Sequence, residues 1–128
     1  MTKKELRTDK APKAIGPYSQ AVMAKGMVFL SGQIPIDPLT GDIVPGGITA
    51  QTRQVLTNLK LVLEEAGGGL NDIVKTTVFL KDLGKFSDMN TVYGEFFGPP
   101  YPARATVGVN ALPKGVEIEI DAIAVIAD

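Results

Sequence analysis

The sequence predicts an α+β fold in which two helices cover one face of a mixed β-sheet. Two windows, residues 48–66 and 85–97, repeat apolar residues at helical spacing. Several shorter windows alternate apolar and polar residues or are rich in β-branched residues, as strands are. In chain order the predicted elements are β-β-α-β-α-β-β. With 128 residues and neither an internal repeat nor a linker, the chain is expected to form a single domain over residues 1–128.

The first part of the chain predicts a lead segment, a loop and a hairpin. Residues 1–10 are polar and charged, which is typical of a flexible lead or a loosely held edge segment. Residues 11–20 contain two prolines and a glycine, so we expect an ordered loop there, with Tyr18 as a half-buried aromatic or a site residue. Residues 21–24 and 27–30 flank Lys25-Gly26 and predict a tight β-hairpin. Ser31-Gly32-Gln33 follows, as a strand-end kink or a close backbone approach to an anion.

Two helices and a strand are predicted after the turn-rich surface loop of residues 35–47. The first helix, residues 48–66, carries one apolar stripe, formed by Val55, Leu59, Val62, Leu63 and Ala66. Three glycines at 67–69 end it. Residues 72–81 predict a strand rich in β-branched residues. The second helix, residues 85–97, places Phe86, Tyr93 and neighbouring aromatics on one face, which we interpret as core.

Residues 102–124 predict a strand, a turn and a second strand in one hairpin-like unit. Arg104 lies near the start of the first strand and Glu119 near the middle of the second, so we expect the two side chains to lie close together. An arginine among small neighbours can grip a small carboxylate with two parallel hydrogen bonds. The same spacing also fits a structural Arg–Glu ion pair. Glu119 shares its strand face with two other acids, Glu117 and Asp121, which alone indicates a solvated face.

Composition excludes several classes of chemistry. The chain has no cysteine and no histidine, which removes disulfides, thiolate chemistry, Ser-His-Asp catalysis and metal sites built on these residues. A net charge of −1 and a pI near 5.4 give no general basic field for nucleic acid. No apolar run is long enough to span a membrane, and the first 16 residues lack the apolar core of a signal peptide. We therefore expect a cytoplasmic protein without a nucleic-acid or membrane partner.

The predicted strands are apolar on both faces, although two helices can cover only one face of the sheet. On the last strand, for example, Ile123 and Val125 share a face with Glu119. A bare apolar face of this size is expected to be covered by a second copy of the chain. Clefts between copies are then natural positions for a binding site.

Nearly the whole chain resembles the reactive intermediate deaminases, the RidA family, formerly called YjgF. The segments that carry the resemblance are APKAIGPYSQAV (11–22), LSGQIPIDPLTGDIV (30–44), NLKLVLEEAGGGLNDIVKTTVFLKDL (58–83), FSDMNTVYGEFF (86–97) and PARATVGVNALPKGVEIEIDAIAV (102–125). The last of these contains the family signature. The resemblance implies a fold similar to chorismate mutase of the trimeric type, as a homotrimer with sites between protomers.

The resemblance also implies which residues form the site. Arg104 matches the family's carboxylate-binding arginine and Glu119 its water-positioning glutamate. Tyr18, Ser31, Gly32 and Asn90 match further substrate-binding positions. Many members carry cysteine two positions after the arginine, whereas this chain has Thr106, so no thiol is available there.

The implied function is hydrolysis of small 2-imino acids, 2-iminopropanoate and 2-iminobutanoate, to 2-keto acids and ammonia, with no metal and no organic cofactor. Two alternatives remain open at this point. One is a regulatory trimer that binds 2-keto acids without catalysis. The other, which the acidic pI and the lack of histidine disfavour, is a ribonuclease or translation inhibitor.

Overall fold

A single sheet backed by two helices organises the part of the chain that the computed structural model describes, residues 2–126. The outermost residues of the predicted domain, Met1, Ala127 and Asp128, lie outside the described residues. The strands are β1 (Lys4–Leu6), β2 (Ala21–Ala24), β3 (Met27–Gln33), β4 (Ile73–Leu80), β5 (Ala103–Gly108) and β6 (Ile118–Val125). The helices are α1 (Ile48–Glu65) and α2 (Phe86–Phe96), with short 3₁₀ turns at Leu70–Asp72, Leu83–Lys85 and Pro113–Gly115.

The predicted α+β class and the position of both helices on one face are confirmed. Within residues 2–126 the strand order is β1-β2-β3-β6-β4-β5, and only the β4–β5 pair is parallel. One strand was not predicted as such, since β1 forms an edge from part of the polar lead segment and pairs with β2. None of the described helices is long and apolar enough to cross a lipid bilayer.

The predicted hairpin of the last two strands is wrong. β5 pairs in parallel with β4, and β6 pairs antiparallel with the other side of β4, so β4 lies between them. α2 makes the crossover that parallel pairing of β4 and β5 requires. Arg104 and Glu119 are therefore two strands apart, about 10 Å in the hydrogen-bonding direction.

The local signals that predicted the β2–β3 hairpin and the end of α1 were correct. Lys25 and Gly26 both have positive φ, 52° and 77°, as a two-residue type I′ turn requires. Gly67 has φ of 80°, and the N–H groups of Gly67 and Gly68 donate to the carbonyls of Glu64 and Leu63. These two bonds form a Schellman motif that ends α1.

The core lies between the two helices and one face of the sheet. β6 alternates strictly, with Ile118, Ile120, Ala122 and Ala124 buried towards the helices. From α1, the fully buried apolar residues are Val55, Leu56, Leu59, Val62 and Leu63. Burial of these side chains, each contributing roughly 1.5–3 kcal/mol, fixes the sheet register and so the positions of all side chains on both faces.

The opposite face of the sheet stays largely apolar and uncovered. Met27, Phe29, Val107 and Val125 project from it and are 38–45% exposed. Phe79 and Ile123 are half-buried between them. We call this surface the open face.

Candidate functional site

Arg104 projects from β5 on the helix side of the sheet. Its register partner on β4 is Thr76, which is fully buried on that side. The Arg104 side chain borders an open cavity of about 470 Å³. The other residues that line this cavity are Asn90, Tyr93, Gly94, Tyr101 and Pro102. Since five of these six residues are uncharged and Arg104 is cationic, the cavity offers a single positive charge to a small ligand.

The Arg104 guanidinium rests on aromatic rings and on no carboxylate. Its Cζ lies 4.8 Å from the ring centroid of Tyr93 and 5.5 Å from that of Phe86. Among the described residues, the one ion pair is between Arg53 and Glu95, at 2.7 Å on the exposed surface of the helices. A structural Arg–Glu pair within the chain is therefore not what holds Arg104, and its donors remain available to an anion.

Three side chains of α2 surround the guanidinium because of their spacing. Phe86, Asn90 and Tyr93 are separated by four and three residues, which places them on one face of the helix. Asn90 and Tyr93 line the Arg104 cavity, and Phe86 and Tyr93 contact the guanidinium. Asn90, predicted as a binding residue, is thus brought to Arg104.

Tyr93 is held by a hydrogen bond at its hydroxyl and by packing of its ring. Its hydroxyl shares a 2.7 Å hydrogen bond with the Thr76 hydroxyl, and its ring packs on Phe97 at 4.5 Å between centroids. Burial raises the pKa of Tyr93 and outweighs the opposing effects of the Thr76 hydrogen bond and the Arg104 charge. The phenol therefore stays protonated in neutral solution, and the Tyr93 and Thr76 hydroxyls remain hydrogen-bonded to each other.

Thr106 follows Arg104 by two residues and shares its face of the sheet. Its hydroxyl oxygen is buried and has no hydrogen-bond partner among the described residues. Thr106 is not among the residues that line the Arg104 cavity, so the structure does not bring this predicted binding residue into contact with it.

Glu119 lies on the open face, opposite to Arg104. It pairs with Phe79 on β4, three residues beyond the Thr76 that faces Arg104, and an odd separation along a strand reverses the face. Burial raises the pKa of Glu119, and the nearby Asp121 carboxylate raises it further. A carboxyl group with a raised pKa is a stronger base once ionised, which suits removal of a proton from water.

Ser31 and Gly32 lie beside Glu119, at an irregularity in β3. Pairing of β3 with β6 shifts register between Leu30 and Gln33. A Cβ at position 32 would collide with the Glu119 carboxylate, so glycine is what admits that side chain. The Ser31 hydroxyl donates to the Ser19 carbonyl at 2.6 Å, which fastens β3 to the Tyr18 loop.

Tyr18 is 52% exposed and lies near Ser31 and Gly32. Tyr18 and Gly32 both line a cavity of about 400 Å³, and Tyr18 and Ser31 both line a neighbouring one of about 370 Å³. The chain thus assembles two groups of predicted site residues. The arginine group contains Arg104 and Asn90, and Thr106 shares the same face of the sheet without lining the cavity. The glutamate group contains Glu119, Gly32, Ser31 and Tyr18.

One copy of the chain does not bring the two groups together. They lie on opposite faces of the sheet and at opposite sides of the β6–β4 pair. Within residues 2–126, no cluster of three or more Asp and Glu side chains is arranged to hold a metal ion. Because the two groups lie apart, the chain presents a cation that can bind a carboxylate, Arg104, on one face of the sheet and a potential base, Glu119, on the other.

Sequence reasoning missed four residues around Arg104. Tyr93 and Phe86 were interpreted only as core, which is correct for the buried Tyr93 and wrong for Phe86, which is 39% exposed. Neither Thr76 nor Tyr101 was considered. The spacing of Phe86, Asn90 and Tyr93 was the available signal for the two rings, because it places them with a predicted site residue. The contact with Thr76 had no such signal, since it depends on the parallel pairing of β4 and β5.

Comparisons with known proteins agree with this architecture. The family model described as Endoribonuclease L-PSP matches residues 8–126. A RutC family protein of Pyrococcus abyssi is 57% identical over 124 residues, which cover 97% of this chain and 98% of that relative. The 2-iminobutanoate/2-iminopropanoate deaminase of Bos taurus is 47% identical over 125 residues, covering 98% of this chain and 91% of the relative.

A solved structure extends the likeness to three dimensions. The Rid family protein YyfA from Yersinia pestis is 49% identical, with a TM-score of 0.95 over 98% of this chain and 100% of that chain. The fold predicted by resemblance, that of the chorismate mutase type, is thereby confirmed. The match of the family model over almost the whole chain and these identities lead to one conclusion: the chain belongs to the RidA (YjgF) family.

Proposed function

We propose that the protein is a hydrolytic deaminase that converts small 2-imino acids, such as 2-iminopropanoate and 2-iminobutanoate, into 2-keto acids and ammonia. The observation that carries this proposal is the Arg104 guanidinium, which faces an open cavity without a carboxylate partner among the described residues. The 47% identity with a mammalian protein named as such a deaminase supports the same reaction.

Arg104 would hold the substrate carboxylate with two parallel hydrogen bonds and so fix the adjacent imine carbon. Glu119 would orient a water molecule and accept its proton as the oxygen attacks that carbon. With the substrate as the protonated imine, this attack gives a neutral carbinolamine, and Glu119 returns its proton to the amino nitrogen. The carbinolamine then expels ammonia as its hydroxyl proton passes to Glu119, which leaves the 2-keto acid, and the departing ammonia carries that proton away as ammonium. The N–H groups of the irregular segment at Ser31 and Gly32 would stabilise the polar intermediate. No metal and no organic cofactor takes part in this sequence of steps.

The reaction needs both groups of residues, so we propose that they meet between protomers of a homotrimer. Arg104 and Glu119 of one chain face opposite sides of the sheet. The open face supplies an apolar surface for assembly, which a monomer would leave in water. In such an assembly the arginine group of one copy faces the glutamate group of its neighbour.

A small organic acid fits the site better than RNA does. The chain has a net charge of −1, and one cation, Arg104, lines the cavity. RNA binding requires several cations along a groove, and this cavity offers one.

The proposal is tested by replacing Arg104. An amino acid dehydratase generates fresh imine, and formation of the 2-keto acid is followed with wild type, Arg104→Lys and Arg104→Ala. Both variants should lose on the order of 10²-fold in kcat/KM, because a lysine is a point charge and cannot reproduce the fork. Arg53→Lys, at the exposed ion pair, is the matched control and should keep full activity.

Two outcomes would contradict the assignment. Wild-type rates for Arg104→Ala would remove Arg104 from the reaction. Tight 2-oxobutyrate binding by the wild type without any acceleration of ammonia release would instead favour a regulatory binding protein.

A further inference from the structure

We propose that Tyr93 and Thr76 are positioning residues, whose shared hydrogen bond fixes the plane of the Arg104 guanidinium so that its fork opens into the cavity. This role rests on the proposed function of Arg104 as the carboxylate grip. Neither residue need contact the substrate, because they act through Arg104.

The strand register places Thr76 next to Arg104. Thr76 pairs directly with Arg104 on the neighbouring parallel strand, and both side chains project towards α2. Thr76 is fully buried, so its hydroxyl needs a partner within the protein. That partner is the Tyr93 hydroxyl, at 2.7 Å.

Two contacts fix the orientation of the Tyr93 ring. The hydroxyl is held by Thr76, and the ring itself packs at 4.5 Å on Phe97, with a 37° angle between the ring planes. Tyr93 is only 5% exposed. With one end hydrogen-bonded and one face packed, the ring has a defined plane, on which the guanidinium lies at 4.8 Å.

The fixed Tyr93 ring limits the rotamers available to Arg104. An arginine side chain has many rotamers, and a bidentate grip uses only those with the fork aimed at the ligand. Attraction between the cation and the ring face selects the stacked rotamers and leaves the edge of the guanidinium, with its N–H donors, pointing away from the ring. Phe86 approaches the same guanidinium at 5.5 Å and narrows its freedom further.

Removing the hydroxyl pair separates this role from simple core stability. Tyr93→Phe keeps the ring but releases it from β4, and Thr76→Val removes the same bond from the other side. Each should weaken 2-oxobutyrate binding, measured by calorimetry, by between about threefold and tenfold, the usual effect of one hydrogen bond. Thr76→Ser retains the hydroxyl and should bind within about twofold of wild type.

One background variant and one control variant make the comparison specific. In an Arg104→Lys background, Tyr93→Phe should change binding no further, because a lysine has no plane to orient. Thr52→Val is the matched control for a buried threonine, since the Thr52 hydroxyl in α1 has no partner among the described residues. It should leave the dissociation constant unchanged.

A second readout does not depend on the ligand. The ¹⁵N-edited Nε–Hε signal of Arg104, assigned by its loss in Arg104→Lys, should show a rigid guanidinium in wild type and increased fast motion in Tyr93→Phe. If both the order of Arg104 and the 2-oxobutyrate affinity are unchanged in Tyr93→Phe while its Tm falls, the pair is only structural and the proposal is wrong. If the wild type binds no 2-oxobutyrate but Arg104 is rigid and loosens in Tyr93→Phe, the positioning role stands and the proposed function fails.

Discussion

The two charged residues of the proposed reaction sit in opposite electrostatic environments. Arg104 lies against neutral rings, with no described carboxylate to consume its donors. Glu119 is partly buried beside a like charge, Asp121, and its pKa is raised. The cation is therefore kept available for an anion, whereas the carboxylate is made a better proton acceptor.

The pH dependence of the reaction should report the contribution of Asp121. Only ionised Glu119 accepts a proton, so kcat/KM should rise with pH as Glu119 ionises. Asp121→Asn removes a negative charge that disfavours the ionised form, which lowers the pKa of Glu119. The acid limb of the kcat/KM profile should therefore move to lower pH in this variant.

Asp121→Asn removes the smaller of the two causes that raise the pKa of Glu119, because burial, the larger cause, remains. Glu64→Gln, an exposed carboxylate on α1, should leave the limb in place. An acid limb that moves upward in Asp121→Asn, or does not move, would show that another group controls the profile.

At the scale of elements, the irregularity in β3 shapes the glutamate group. β3 pairs regularly with β6 up to Leu30 and resumes at Gln33, and Gly32 between them meets the Glu119 carboxylate. The interrupted ladder leaves room for a side chain to cross the strand at Gly32. A bulge of this kind next to a site is a common way of redirecting side chains.

Gly32→Ala should separate the position of Glu119 from the stability of the fold. The new Cβ would displace the end of a flexible side chain, so we expect little loss in Tm. Moving the carboxylate by about 1 Å should lower kcat on the order of 10²-fold. Gly69→Ala, where a Cβ meets nothing within 4 Å, is the matched control and should be active. Equal activity of the two variants would show that the carboxylate position at Gly32 is not used.

Element types were largely predictable from sequence, but their partners were not. The apolar stripe of α1 and the Lys25-Gly26 turn are local signals, and both were correct. The hairpin of β5 and β6 was wrong because neighbours in sequence usually pair, whereas here β4 lies between them. Residues 109–117, which connect the two strands in the structure, exceed the two to five residues of most hairpin loops, but the strand ends that define this length are known only from the structure.

At the scale of the whole molecule, the same error in topology changes what the site requires. Arg104 and Glu119 in one hairpin could have met within one chain. On opposite faces of a six-stranded sheet they cannot, although the residues chosen by resemblance do gather in two compact groups. Matching segments to a family could thus select the candidate site residues, whereas their separation onto opposite faces of the sheet follows from the fold alone.

Mixing two inactive variants should therefore restore activity. Arg104→Ala keeps its glutamate group and Glu119→Gln keeps its arginine group, so an interface between the two variants can contain one complete site. If the sites lie between protomers of a trimer, subunits exchanged by mild denaturation and refolding at a 1:1 ratio should regain about a quarter of wild-type activity, since three quarters of the trimers are mixed and each has one intact site of three. Refolding each variant alone is the control and should stay inactive. Mixtures no more active than their components would show that both residues act from the same chain, and the proposed division of the site would be wrong.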